Sequence, residues 1–262
     1  MLLNRTWFIY SLIGFIFFDI ISLAGYTFPA LNWLLLPLLI LGFVLLLFRD
    51  FRFAFIIPWA ELVWGSFGAS LFWEVGDFRL SIRMLIFGMT MAVWLIQMAR
   101  KKISLHIPFG TVWGRVYAVL LLLIFWGIAM GLVSGHSMQA IFYDSNAYLY
   151  VLYLPLWLQL ANKDMLLILR SILFAGATGL ALKTLILANI FSNNYATLNV
   201  TYLYLWIRDT RIGEITPAGG SLWRIFMQSQ VYIGVALLYL SAHLVRRGSM
   251  EVYHWILAVI YC

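Results

Sequence analysis

Apolar runs of about 20 residues, separated by short charged breaks, recur along nearly the whole of this chain. That recurrence constrains the fold more than any motif. Runs of this length match the hydrocarbon thickness of a bilayer. Lipid offers the backbone no hydrogen-bond partner, so each run must be helical. Barrel strands would be shorter and would alternate apolar with polar residues. Composition agrees: 64% of the residues are hydrophobic and 10% charged, against about 25% charged in soluble domains. The expectation is an all-α polytopic membrane protein, with residues 1–262 forming a single transmembrane domain.

The runs are Trp7–Ala24, Ala30–Phe48, Phe53–Trp73, Leu80–Met98, Val112–Val133, Ala147–Ala161, Met165–Phe191 and Trp223–Val245. A ninth begins at Trp255 and stops at Cys262, too short to cross. About nine transmembrane helices are therefore expected, the last truncated. The first run is too long for a signal peptide and has no small-residue cleavage site, so it is read as a retained helix. The net charge of +7 sits in short loops, where it marks orientation rather than nucleic-acid binding. With the N-terminus cytoplasmic, Arg5, Arg49, Arg52, Arg100, Lys101, Lys102, Lys163, Arg246 and Arg247 all face inward. The alternation requires Phe53–Trp73 to cross, although Pro58, Glu61, Gly65 and Gly68 interrupt it. The one cysteine, Cys262, allows no intrachain disulfide and no cysteine-based metal site. No nucleotide-binding glycine pattern is present, and no cofactor is expected.

Against this background the stretch Tyr204–Tyr232 stands out, because it places Arg208, Asp209, Arg211, Glu214 and Arg224 on the outward side. Arg79 and Arg83, four residues apart, would share a face where the fourth helix starts. Lys183 falls inside the seventh helix. Arg224, Gln228 and Tyr232 recur every four residues and would form one polar stripe on the eighth. A cation at the centre of a membrane helix costs about 2.5–3.5 kcal/mol on insertion scales, so it normally has a partner or a task. Diphosphate suits this set: guanidinium donates in a planar fork and ammonium acts as a point charge. The candidate substrate-binding residues are Arg83, Lys183, Arg208, Arg211, Arg224 and Gln228. The structural reading of the same residues is ion pairing. Arg208 and Arg211 would meet Asp209 and Glu214, Arg79 would meet Asp77 or Glu74, and Arg224 would reach the head groups. Asp19 and Glu61 would neutralise Lys183 or Arg83. His106, His136, His243 and His254 show no metal-ligand spacing. Asn199-Val200-Thr201 fits a glycosylation sequon, a frequent chance match.

Three segments, YDSNAYLYVLYLPLW, WIRDTRIGEIT and WRIFMQSQVY, make the chain resemble the O-antigen ligase and polymerase-like family of bacterial envelope proteins, loosely and from about the third helix onward. The resemblance implies a GT-C-like helical bundle in the inner membrane. It implies transfer of glycan from an undecaprenyl-diphosphate-linked donor without metal, with periplasmic arginines holding the diphosphate. It also implies a histidine in a large loop after the ninth helix; the present residues would then carry part of the donor site and be inactive alone. Membrane lipid and the lipid-linked glycan are the partners expected, and no nucleic acid. The alternative is a transporter or flippase for a lipid-linked or anionic solute, which should show cations or broken helices continuing into the inner half. The charge asymmetry gives a direct test: with Cys262 replaced by serine, a cysteine at position 213 should react with an impermeant thiol reagent from outside, and one at position 102 should not. The reverse pattern would invert the topology.

Overall fold

The computed structural model describes residues 3–65, 70–75, 78–102, 110–193, 200–219, 222–247, 256, 257 and 261. Asp77, His106, His254, Asn199 and most of the ninth run lie outside them. The helices are α1 (Arg5–Thr27), α2 (Asn32–Arg49), α3 (Phe53–Gly65), α4 (Ile82–Ala99), α5 (Val112–Val133), α6 (Met138–Leu149), α7 (Tyr153–Leu160), α8 (Lys163–Asn193), α9 (Val200–Asp209) and α10 (Val231–Arg247). Two antiparallel hairpins are added, β1 (Phe72–Val75) with β2 (Phe78–Ser81), and β3 (Gly213–Gly219) with β4 (Leu222–Met227). Among the described residues five helices are long and apolar enough to cross a membrane: α1, α2 with its preceding turn, α4, α5 and α8. The protein is an all-α membrane protein with two short hairpins at one end of its bundle.

α8 is the axis. Of its apolar window 78% is buried within the protein, against 6% for α5, which faces outward almost all round. Its centre, Ala175-Gly176-Ala177-Thr178-Gly179-Leu180-Ala181, is small and buried throughout. Between apolar helices in lipid, close approach of backbones supplies the packing energy, and small residues permit it. A Cβ on Gly179 would lie 2.6 Å from the Trp64 ring of α3, and one on Gly176 would strike Val63. Trp64 in turn stacks on Phe15 of α1, with ring centroids 4.6 Å apart and planes within 2°.

Three elements depart from the expected boundaries. The third helix stops at Gly65, and Phe72–Val75 turns into a hairpin strand instead of extending it. The sixth helix begins nine residues early, at Met138, because Ser137 caps it and its side chain accepts the Ala140 N–H at 3.2 Å. Pro155 cannot donate to Val151 and clashes with its carbonyl; the chain there passes through a 3₁₀ turn, Tyr150–Leu152, before α7. The largest correction concerns Trp223–Met227. It forms β4, and the following helix starts only at Val231. The residues alternate: Trp223, Ile225 and Met227 turn inward, whereas Leu222, Arg224 and Phe226 are exposed. That is a strand's period of two.

The second hairpin also makes position 213 a poor labelling site. A Cβ on Gly213 would lie 2.8 Å from both Met227 Sδ and the Phe226 carbonyl, so the outward probe belongs at the exposed Ala218. Packing on α8 yields its own test. Gly179→Leu should cost about 1–3 kcal/mol or more through overpacking and lower the melting temperature in detergent. Gly14→Leu, where a Cβ meets nothing within 4 Å, should leave it nearly unchanged.

Candidate functional site

At the hairpin end, a cavity of about 820 Å³ opens between α3, the start of α4, β2, α6 and the turn before β3. Among the described residues Arg79, Arg83 and Arg211 line it with one acid, Glu61, and with Tyr143, Tyr150 and Tyr153; Phe55, Trp59 and Ile86 make it apolar below. Ser81 caps α4, its hydroxyl accepting the Met84 N–H at 3.4 Å, and so places Arg83 in the first turn. From there Arg83 Nε and Nη2 donate to the two carboxylate oxygens of Glu61 at 2.6 and 2.8 Å. Gly65, one turn beyond Glu61, leaves the pair its room: a Cβ there would sit 2.7 Å from Glu61 Oε1. The Arg79 guanidinium lies over the Phe72 ring, 3.5 Å from its centroid, and the Arg79 backbone N–H donates to the Tyr143 hydroxyl at 2.9 Å. Arg211 follows α9 at the position where a glycine commonly ends a helix, with φ +55°. A non-glycine residue in this left-handed region costs roughly 1–2 kcal/mol, and such positions cluster at functional sites.

The other expected site residues are not in this lining. Lys183 is caged on the far side of Trp64: its Nζ lies 2.9 and 2.8 Å from the Asp19 carboxylate oxygens. Trp64 Nε1 donates to the same carboxylate at 3.0 Å. The ammonium sits 5.3 Å from the Trp64 ring and 5.0 Å from the Trp206 ring. Arg208, with a side chain 55% exposed, donates to Asp209 at 2.7 Å and packs over Tyr204. The Arg208 hydrogen bond, helped by one from the Tyr26 hydroxyl, holds the Asp209 carboxyl below its ordinary range. Arg224 is exposed on β4, opposite Thr216. Gln228 opens a 3₁₀ turn, with its N–H on the Ile212 carbonyl at 3.0 Å. The stripe joining Arg224, Gln228 and Tyr232 therefore does not form, because the three residues sit on a strand, a turn and a helix. Nor do Arg79 and Arg83 share a helical face, since Arg79 belongs to β2.

The pairing of Asp19 with Lys183 and of Glu61 with Arg83 follows the structural reading of those residues. What sequence reasoning passed over is the tyrosine wall. Tyr143, Tyr150 and Tyr153 are spaced by seven and three, a helical face visible in YDSNAYLYVLYLPLW. It also passed over Arg170, a cation within α8 whose Nη1 donates to the Tyr239 hydroxyl at 2.6 Å. Among the described residues no three His, Cys, Asp or Glu side chains come together as a metal site.

Fold and site together define a multi-pass helical membrane protein with an arginine-lined cavity at one end. No protein-family model, characterised protein or solved structure matches the chain.

The caged lysine yields a stability test. Lys183→Met or Asp19→Asn alone should cost about 3–5 kcal/mol, because each leaves a buried partner uncompensated. The double change Asp19→Leu/Lys183→Met should recover much of that in a thermal melt. Equal losses in single and double variants would show that the pair is not a unit.

Proposed function

We propose that the protein is an inner-membrane glycan transferase of O-antigen ligase or polymerase type, taking its donor from an undecaprenyl-diphosphate-linked glycan. On this reading the N-terminus is cytoplasmic, the hairpin end faces outward, and the helices belong to a GT-C-like bundle of about nine crossings. The observation that carries the proposal is the grading of the cavity: among the described residues, three guanidiniums near its hairpin end against one carboxylate, above an aromatic and apolar floor. An amphiphile with an anionic head fits that gradient. Diphosphate would leave the anomeric carbon with the bonding electron pair as an acceptor hydroxyl attacks, and the arginines would stabilise the charge that develops. The geometry ranks Arg79, Arg83 and Arg211 above Arg208 and Arg224 for this role.

A second reading, a flippase or transporter for the same class of lipid, is favoured by Arg170. It lines a cleft of about 690 Å³ with Tyr239 and shares the walls Phe55, Trp59, Tyr150 and Tyr153 with the upper cavity. A transporter should carry cations or broken helices beyond its outer site, and Arg170 is such a cation.

Arg211 separates folding from function. Arg211→Gly removes the guanidinium but suits the left-handed backbone, so the protein should fold at least as well, by about 1 kcal/mol. In proteoliposomes of a chain that includes the large loop after the ninth helix implied by the resemblance, supplied with a prenyl-diphosphate-linked oligosaccharide and a hydroxyl acceptor, this variant should lose transfer on the order of 10²-fold. Arg208→Lys should retain it. Full transfer by Arg211→Gly would overturn the assignment. Movement of the labelled lipid between leaflets without transfer would favour the flippase.

A further inference from the structure

We propose that an anion of phosphate chemistry, on binding Arg83, displaces Glu61 and brings one proton onto the Glu61 carboxylate. The ion pair in the cavity wall would thus exchange one partner for another. The inference rests on the reading of this cavity as a diphosphate site, and it holds for a transferase or a flippase alike.

The geometry carries it in three steps. First, the pair is closed off yet faces the cavity: the side chains of Arg83 and Glu61 are 17% and 7% exposed, and both line the chamber. Arg83 spends its fork on Glu61 through two parallel bonds of 2.6 and 2.8 Å. A phosphate group presents the same two-oxygen edge with more charge. Second, Arg79 and Arg211 face the same space, so an incoming polyanion gains two further cations that Glu61 does not use. Third, once Arg83 turns to the anion, Glu61 is left in a buried wall beside a second negative group. An ionised carboxylate without a partner is costly there, and protonation removes the cost.

Among the described residues the neighbours offer no other route. The titratable groups among the described residues that line the chamber with Glu61 or couple to it are Arg83 from α4, Arg79 from β2, Arg211 from the turn before β3, Tyr143 from α6, Tyr150 and Tyr153 from the wall before and within α7, and Tyr232 from α10. Among these there is no second acid and no histidine to take the proton instead. In its neutral form Glu61 becomes a hydrogen-bond donor and can hold the anion it has made room for. The proton comes from water with the anion and returns to water when the anion leaves and the pair closes again.

The test uses the whole protein in detergent and a short-chain prenyl-diphosphate sugar, a diester whose own charge is constant around neutral pH. Calorimetry in buffers of differing ionisation enthalpy counts protons directly. The wild type should take up close to one proton per ligand bound, and its affinity should weaken about tenfold per pH unit on the alkaline side. Glu61→Gln, neutral from the start, should bind more tightly at alkaline pH, with no proton uptake and a flat pH profile. Wild-type binding without proton uptake, or a pH slope that survives in Glu61→Gln, would overturn the inference and leave the anion site standing. No binding by the wild type at any pH, or binding unchanged in Arg79→Ala/Arg211→Ala, would overturn the site reading as well. The wild-type proton count needs no variant, so a Glu61→Gln protein that failed to fold would not block the test.

Discussion

The Asp19–Lys183 pair fixes the arrangement at the hairpin end. A lysine this deep in a membrane helix is costly unless it is neutralised where it stands. Asp19 of α1 does so, and Trp64 of α3 and Trp206 of α9 close over it. Four elements are therefore held to one point. Their register follows from it: the Ser229 hydroxyl donates to the Trp64 carbonyl at 3.0 Å and seats the start of α10 on the end of α3. Trp206 Nε1 donates to Ser22, whose hydroxyl donates to the Ser70 carbonyl beside the first hairpin. Both hairpins inherit their placement from a charge that would otherwise be intolerable.

Set beside it, Glu61–Arg83 is the same chemistry in a different setting. Each pair joins an acid and a base across helices, and each is largely buried. Lys183 is enclosed by indole rings and lies outside the 820 Å³ cavity. Arg83 borders that cavity together with two more arginines, and a glycine clears the space beside its partner. Buried pairs do little for net stability, because desolvation offsets their attraction. A pair that faces open space therefore calls for an explanation that an enclosed pair, which sets register, does not.

The bundle was legible in the sequence because hydrocarbon thickness and backbone hydrogen bonding leave little choice. The hairpins were not, although their signals were present. In Leu222–Met227 the inward residues alternate, but a membrane helix is apolar all round, and a run scored only for hydrophobicity cannot separate the two periods. Among the charges, sequence narrowed the partners of Lys183 and Arg83 to Asp19 and Glu61 without assigning them, since buried acids in such a chain are few. It could not say which base would face a cavity. Lys183, inside a helix, stands out more in the sequence than Arg83 at a helix start; their surroundings differ in Trp64, Trp206 and Gly65, which are brought to them only by folding.

The source of the cavity's charge says something about its occupant. Arg79 is supplied by a hairpin strand, Arg211 by a left-handed turn and Arg83 by the first turn of α4. All lie toward the end of the bundle, where a cation is less costly than at its centre. Deeper in, the wall changes to rings. Phe87 packs on Tyr150 and Tyr153, and Phe55 on Tyr153 and Trp157, with centroids 4.6–6.1 Å apart. A site for a small soluble anion would need only the upper part. An apolar cleft that shares four wall residues with the cavity suits a ligand whose charge stays at the interface while its chain lies among the helices. On the proposed reading, the hairpin layer recognises the head, the aromatic wall holds the chain, and the exchange at Arg83 occurs where the two meet.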